Sequence, residues 1–414
     1  VLPLTSDKID GLIDKWHDAL EHSVSDSQDQ AAIRKEIRSY PNELKAKLRR
    51  RDFSEIRKLV ETPLLCAALC VVNRHLEGNI STKKREFFQE VCAALLGRDA
   101  LHGIHRDQLH GKMNVDDAFT LHSYVAFHMM SNPQGYDEKT DRYLIEAPRT
   151  KVQALLEEGA KNHPECVAKL AQIDADELLQ HFLVSRCLMR EPTKGIIDFN
   201  HYYLQEFLTA SYMLSPDGYG EPRELNQLVE RVGNSRWRAT IRLAGGGKGR
   251  SDGDCIRLIR QLMKWGADLS GRSDHECNQQ SRTARMLAVA NLIHLNAIPP
   301  KLLDDVVTML SEPGVLPPRS KDEAQDLAAA GDAIVPLLAP HVGPQVDGDD
   351  PSALALLFIG SRVALEALDS KYQELLDALL EMLKQAPNVN ALELPSVVEY
   401  VRKHGAVPEG ARRY

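Results

Sequence analysis

Apolar residues recur every three or four positions along most of this chain, the spacing that turns one face of an α-helix toward a core. Near the start, Ile9, Leu12, Ile13, Trp16 and Leu20 predict a helix capped by Thr5 or Ser6. A polar, charged stretch to about Asp52 predicts a further exposed helix, interrupted at Pro41, where a missing N–H and a ring clash break the hydrogen-bond ladder. Thr62 then stands as cap and Pro63 as opening residue of a helix that is apolar nearly all round. Its Leu64, Leu65, Ala68, Leu69 and Val72 predict burial on several sides. Gly78 ends it, and a second helix carries Phe87, Phe88, Val91 and Leu95.

Asn114 to Met130 predicts another amphipathic helix, the polar "SNPQGYDEKTDRY" a loop, and Pro148 to Gly159 one more helix. Asp174 and Glu177 form a capping-box pair before Leu178, Leu179, Phe182 and Leu183. The period then changes. "CLMREPTKGIIDF" is two short strand-like runs joined across Pro192, Thr193, Lys194 and Gly195, a hairpin pattern, and "NHYYLQEFLTASY" returns to helix with Leu204, Phe207 and Leu208 on one face. Helices, a hairpin, then a helix is the element order of a winged-helix domain, which places that unit at about 114–213. Past the Pro/Gly-rich "SPDGYGEP" the chain reads as helix pairs to its end. "DEAQDLAAAGDAIVPLLAPHV" and "SALALLFIGSRVALEAL" resemble HEAT-type repeats, without a strict period. The predicted fold is mainly α: a helical domain, a winged-helix domain with a short β-hairpin, then an α-helical, HEAT-like repeat array.

Composition agrees with that picture. The 414 residues are 43% hydrophobic, enough for real cores, but only 6% aromatic, with few β-branched runs. A net charge of -8 argues against broad attraction to nucleic acid or an anionic membrane. The candidate recognition helix from Asp174 to Val184 carries Asp174, Asp176 and Glu177 and no Lys or Arg, so DNA reading ranks last. The dense basic cluster "KAKLRRRD" reads as a solvated helix end. Seven scattered cysteines fit small core residues in a reducing compartment, the cytoplasm by default. Cys66 and Cys70 lack a matched second pair, and the histidines of "LHGIHRDQLHGKMN" fit no ligand spacing, so no metal is assigned. No apolar run approaches the roughly 20 residues needed to cross a bilayer.

One residue stands out at the junction of strand and helix. A first helical turn presents unpaired N–H groups and the positive end of the dipole, which favour a phosphate or carboxylate. With Asn200 as N-cap, His201 falls in that turn, where it can donate a ring N–H and, near a reference pKa of ~6.5, add charge. The competing reading is a ligand-free histidine that packs the hairpin onto the helix.

"FNHYYLQEFLTASY" resembles the F-x-H-x-x-x-Q-E-[YF]-x-x-A signature near the end of the winged-helix domain in NACHT-type STAND ATPases. That class includes NOD-like receptors and bacterial antiphage NACHT proteins. Phe199, His201, Gln205, Glu206, Phe207 and Ala210 all match. "TPLLCAALCVVNRHLEGNISTKKREFF" is similar to the family's upstream helix pair, with Pro63, Gly78, Ile80, Arg85, Phe87 and Phe88 in the family's order. Thr62 replaces the common Asn, and Ser81 or Thr82 falls where proline is usual. "LPLTSDKIDGLIDKWHDAL" resembles the short strand and helix that follow the nucleotide-binding core. The resemblance thus covers about 1–213 and divides the chain into the end of a nucleotide-binding region (1–60), a helical domain (61–113), the winged helix (114–213) and a sensor (222–414).

The resemblance implies that His201 contacts the β-phosphate of ADP and holds a closed resting state, while Pro63 packs by the adenine or simply opens its helix. It implies ADP or ATP with Mg²⁺ in the full-length protein and none bound by this fragment alone. The implied partners are an upstream nucleotide-binding domain, a protein trigger at the C-terminal helices, and further copies of the protein on activation. In a prokaryote the implied role is antiphage immunity, with a phage-derived trigger.

A G-x-x-x-x-G-K-[ST] loop and a strand-end acidic residue for Mg²⁺ are both missing. "AGGGKGRSDG" has Lys248 followed by Gly249 and reads as a flexible loop. The chain carries no catalytic motif, and NTP hydrolysis is expected of a parent protein whose Walker motifs lie upstream of Val1. The alternative function is a nucleotide-independent helical scaffold for protein–protein interaction.

Overall fold

The computed structural model describes residues 3–23, 31–50, 53–81, 84–97, 113–131, 136–137, 142–143, 146–163, 174–183, 188–214, 225, 228–246, 251–270, 274–312 and scattered positions from 314 to 330. The chain divides into two compact units, Val1–Asp217 and Gly218–Tyr414. Among the described residues it is mainly helical, with a three-stranded sheet and one short strand pair.

In the first unit, α1 (Ser6–Ser23) turns Ile9, Ile13 and His17 inward at four-residue spacing. The histidine is 2% exposed, and its Nδ1 lies 2.8 Å from the Ile13 carbonyl. Contrary to expectation, α2 (Ala31–Arg49) is neither exposed nor interrupted. It runs unbroken through Pro41 and buries Ile37, Tyr40, Leu44 and Leu48. Apolar burial at every turn outweighs one lost ladder bond. The ion pairs Lys45–Asp14 and Arg49–Asp10, both 2.7 Å, lace α2 to α1, so two of the five basic residues of the supposedly solvated cluster are engaged by carboxylates.

After α3 (Ser54–Leu59) comes α4 (Pro63–His75). Thr62 takes the extended cap conformation (φ -95°, ψ 134°), yet its hydroxyl donates to the Leu59 carbonyl at 3.3 Å instead of capping α4. Leu65, Cys66, Leu69 and Cys70 are buried, whereas Leu64, expected inside, is 40% exposed. Next, α5 (Lys84–Leu96) buries Phe87, Phe88 and Val91.

The helix α6 (Val115–Ser131) is buried almost all round, including Phe119, Leu121, Tyr124, Val125 and Phe127, where the sequence predicts one apolar face. Its neighbours surround it. Asn114 and Asp117 cap it reciprocally: Asn114 Oδ1 accepts from the Asp117 N–H at 2.7 Å, and Asp117 Oδ2 from the Asn114 N–H at 3.3 Å. Within the predicted polar loop, β1 (Tyr136–Asp137) and β2 (Arg142–Tyr143) pair antiparallel.

There follow β3 (Ala147–Pro148), α7 (Arg149–Asn162), α8 (Ala175–His181), β4 (Met189–Thr193) and β5 (Ile196–Phe199). β5 is the central strand, antiparallel to β3 through Ala147↔Ile197 and to β4 through Met189↔Phe199. Arg190 clamps Asp198 across the hairpin with two bonds of 2.8 and 2.9 Å. Gly195 takes φ +82° at the turn, a conformation L side chains rarely adopt. Asp174 occupies the N-cap of α8 without a side-chain bond, so the predicted capping box is not formed. Asp176 instead accepts from Arg149 and Gln153, and Arg149 also holds Glu191 at 2.8 Å, tying the hairpin to α7 and α8. Last, α9 (Tyr202–Met213) buries Leu204, Phe207 and Leu208 and packs on α6 and α5.

The second unit contains a 3-10 turn (Glu230–Gly233), α10 (Ser235–Ala244), α11 (Asp252–Ser270), α12 (His275–Ala290), a 3-10 turn (Asn291–His294) and α13 (Pro300–Leu310). α11 and α12 form an antiparallel hairpin, with Gly266 against Ser281 and Arg285, and Cys255 against Asn291. A Cβ on Gly266 would stand 2.7 Å from Arg285 Cγ, so only glycine allows this approach. Three arginines reach toward the following segment: Arg242 to Asp326 at 2.7 Å, Arg282 to Glu323 at 2.8 Å, and Arg285 to Glu312 at 2.6 Å. "SALALLFIGSRVALEAL", the histidines of "LHGIHRDQLHGKMN", Lys248 and most of "DEAQDLAAAGDAIVPLLAPHV" lie outside the described residues.

Candidate functional site

The junction of β5 and α9 is built from the sheet outward. The Asn200 N–H donates to the Leu188 carbonyl at 2.9 Å, which keeps Asn200 with the sheet, and α9 begins at Tyr202. His201 is therefore the N-cap itself, one position ahead of the predicted first turn, with Asn200 outside the helix. Its backbone is extended (φ -150°, ψ 136°), and its Nδ1 accepts the Tyr203 N–H at 3.2 Å. An accepting Nδ1 assigns the ring proton to Nε2, so the side chain offers a neutral N–H donor. Burial, helped by the charge of Lys84, pushes the His201 pKa down to about 4. The ring is thus neutral near pH 7, and the positive charge expected from an unperturbed histidine is absent in this state.

Around it lies an aromatic and cationic cluster. The His201 ring stacks on Tyr202 (centroids 4.7 Å, 25°) and on Tyr203 (5.1 Å, 25°). The Lys84 ammonium, from the first residue of α5, sits 4.5 Å from the Tyr203 ring centroid. Phe88, one turn further along α5, packs on Tyr203 and on Phe207, whose ring also meets Phe119 of α6. Tyr202 is 45% exposed, so the cluster reaches the surface. Gln205 is buried, and its amide nitrogen has no hydrogen-bond partner. On the far side of α5, the Ser81 hydroxyl donates to Glu86 at 2.5 Å and the Ser81 N–H to Glu90 at 3.4 Å. Burial, with Glu86 adding, pushes the Glu90 carboxyl up to about 7.

Pro63 opens α4 and is exposed, beside the exposed Leu64. The Leu4 N–H donates to the Glu61 carbonyl at 2.6 Å and brings the start of the described chain alongside. Both α4 and α9 pack on α5, so Pro63 and His201 belong to helices that share one neighbour.

No family model, curated protein or solved structure matches this chain. The site must be read from its own chemistry. A neutral imidazole N–H beside an ammonium, at the head of a helix, suits an anion. Among the described residues no group of three or more His, Cys, Asp or Glu side chains is placed to hold a metal ion. Sequence reasoning found His201 and missed Lys84, Tyr202 and Tyr203. The tyrosine pair inside the matched motif was a visible signal; Lys84 had none, because it lies far from His201 in sequence.

Proposed function

We propose that this chain is the regulatory and ligand-sensing portion of a NACHT-type STAND immune switch. One observation carries the reading: His201, a neutral donor at the head of α9, follows directly on the central strand of a unit ordered α6-β3-α7-α8-β4-β5, with the short β1–β2 pair between α6 and β3. Helix, strand, two helices and two strands, with sheet order β3-β5-β4, is the order of a winged helix, and it supports that assignment for 114–213.

In this reading the His201 Nε2–H holds the β-phosphate of ADP in the resting protein, and Pro63 with Leu64 offers exposed apolar surface to the adenine. Bound ADP supplies the charge that the latch reads. Residues 1–60 end the nucleotide-binding region, 61–113 form the helical domain, and the helices of 222–414, stacked in HEAT-like fashion, sense a protein trigger. A trigger that binds the open state better shifts the population away from the ADP-held state, and exchange for ATP with oligomerisation follows. In a prokaryote the corresponding biological role is antiphage defence in the cytoplasm.

The test is calorimetric titration of ADP into the full-length protein, wild type against His201→Ala. Loss of a hydrogen bond to a charged group should weaken binding by about 1.5–3 kcal/mol. Unchanged affinity in a folded variant refutes the latch and leaves His201 as a histidine that packs the hairpin onto α9, whereas no ADP binding by the wild type favours a nucleotide-independent helical scaffold.

A further inference from the structure

We propose that the cavity between α1 and α2 binds a primary alkylammonium group: His17 Nε2 and the Ile37 carbonyl accept its hydrogen bonds, and Asp18 supplies the counter-charge. The site lies within the first unit and does not rest on the nucleotide reading of His201.

Three observations converge. First, His17 lines this cavity of about 200 Å³ and is 2% exposed. Its Nδ1 lies 2.8 Å from the Ile13 carbonyl, which can only accept, so Nδ1 carries the ring proton and Nε2 is a bare acceptor. That nitrogen has no hydrogen-bond partner. Burial lowers the His17 pKa, outweighing the Ile13 carbonyl and the carboxylates of Asp14 and Asp18, and Arg74 of α4 lowers it further, so the ring is neutral near pH 7. Second, α2 runs through Pro41, which has no N–H, so the Ile37 carbonyl loses its ladder donor. Ile37 and Pro41 line the same cavity as His17, which adds a second acceptor without its helical partner. Third, the charges in the lining do not cancel. Arg38 is spent on Glu21 through bonds of 2.8 and 2.5 Å, and Asp14 is held by Lys45 at 2.7 Å. Asp18, also in the lining, makes no ion pair among the described residues.

Two acceptors lacking donors and one unpaired carboxylate call for a group with several N–H donors and a positive charge, which is an ammonium. A metal ion would need three or more His, Cys, Asp or Glu ligands around one point, and among the described residues no such group exists. The volume is well above the ~15 Å³ that admits a single water, so an amine with a short alkyl chain fits, its carbons against Ile37 and Pro41. The same reading gives the helix-interior proline of α2 a purpose: it frees an acceptor that any other residue would tie up.

The experiment is calorimetric titration of putrescine and of Nα-acetyl-lysine amide into the whole chain, for wild type, Asp18→Asn and Pro41→Ala, with histidine ring nitrogens followed by NMR. Binding should saturate and shift one Nε2 resonance, identified as His17 by its loss in His17→Gln. Asp18→Asn should weaken binding about threefold, as expected of a solvent-exposed ion pair. Pro41→Ala, which returns an N–H to the Ile37 carbonyl, should weaken it about fivefold without lowering the melting temperature. Tetramethylammonium, with the same charge and no N–H, should not compete. Tighter binding of putrescine assigns the site to a free amine, and tighter binding of the lysine amide assigns it to a lysine of a partner protein. The proposal is overturned if neither amine binds saturably, if the His17 resonance does not move, or if tetramethylammonium binds as tightly as putrescine. Unchanged affinity in both Asp18→Asn and Pro41→Ala overturns it as well. None of these outcomes bears on ADP binding at His201.

Discussion

The contact between Phe88 of α5 and Phe207 of α9 gives a sharp test of how the site is supported. Both rings are buried, at 0% and 1% exposure, with centroids 5.9 Å apart and planes inclined by 32°. Replacing either by leucine removes ring atoms from a packed core. Each single change should cost about 1–3 kcal/mol, below the ~3–5 kcal/mol typical of Phe→Ala. Much of that cost is unrelated to the pair, because Phe207 also meets Phe119, and Phe88 meets Phe87 and Tyr203. A double-mutant cycle separates the shared part. An offset aromatic pair contributes about 0.5–1.5 kcal/mol beyond area burial, so the double variant should be less destabilised than the sum of the singles by that amount. The chain has two compact units, so a single unfolding free energy is poorly defined. Hydrogen exchange at the slowest amides of α6 and α9 reports the relevant unit alone. Additivity within about 0.3 kcal/mol would refute the claim that α5 and α9 are coupled through these rings.

Pro41→Ala should stabilise the first unit by about 1–2 kcal/mol. It restores an N–H facing the Ile37 carbonyl and removes a helix-interior proline, partly offset by the freer unfolded chain. A lower melting temperature would show that the ring helps seat Tyr40 and Leu44. Glu90→Gln should make stability less sensitive to pH. The folded pKa of Glu90, about 7, lies above its unfolded value, so its favourable contribution is complete below about pH 4.5 and is lost as pH rises through 7. The variant should match wild type near pH 4.5 and exceed it at pH 8, by on the order of 1 kcal/mol given that the group is only half-buried. Equal pH profiles in thermal denaturation would count against the burial argument.

Elements with one buried face were legible in the sequence, and those whose surroundings differ from that rule were not. The inward stripe of α1 and the start of α4 at Pro63 follow from spacing and proline chemistry. The β4–β5 hairpin follows from the change of period and a glycine at the turn. α2 carries so many charges that it reads as exposed, because its ion pairs to α1 depend on a tertiary neighbour no local pattern reveals. α6 reads as amphipathic because its histidines and aspartate look polar, yet His122 and Asp117 are buried with hydrogen bonds made locally along the helix. His201 was found by motif and misplaced by one position, since the sheet, through Leu188, takes Asn200 out of the helix. Lys84 became visible only when folding set α5 beside α9.

The arginines of α12 bear on how this chain can vary. Arg282 and Arg285 are 5% and 2% exposed, and a guanidinium does not shed its proton when buried. Their counter-charges, Glu323 and Glu312, come from the segment after α13. Removing one carboxylate strands a buried cation at a cost of about 3–5 kcal/mol, whereas exchanging both partners for apolar residues can be nearly neutral. Natural sequence drift across this seam is therefore expected in pairs, with α12 and the 312–326 segment inherited as one unit of change.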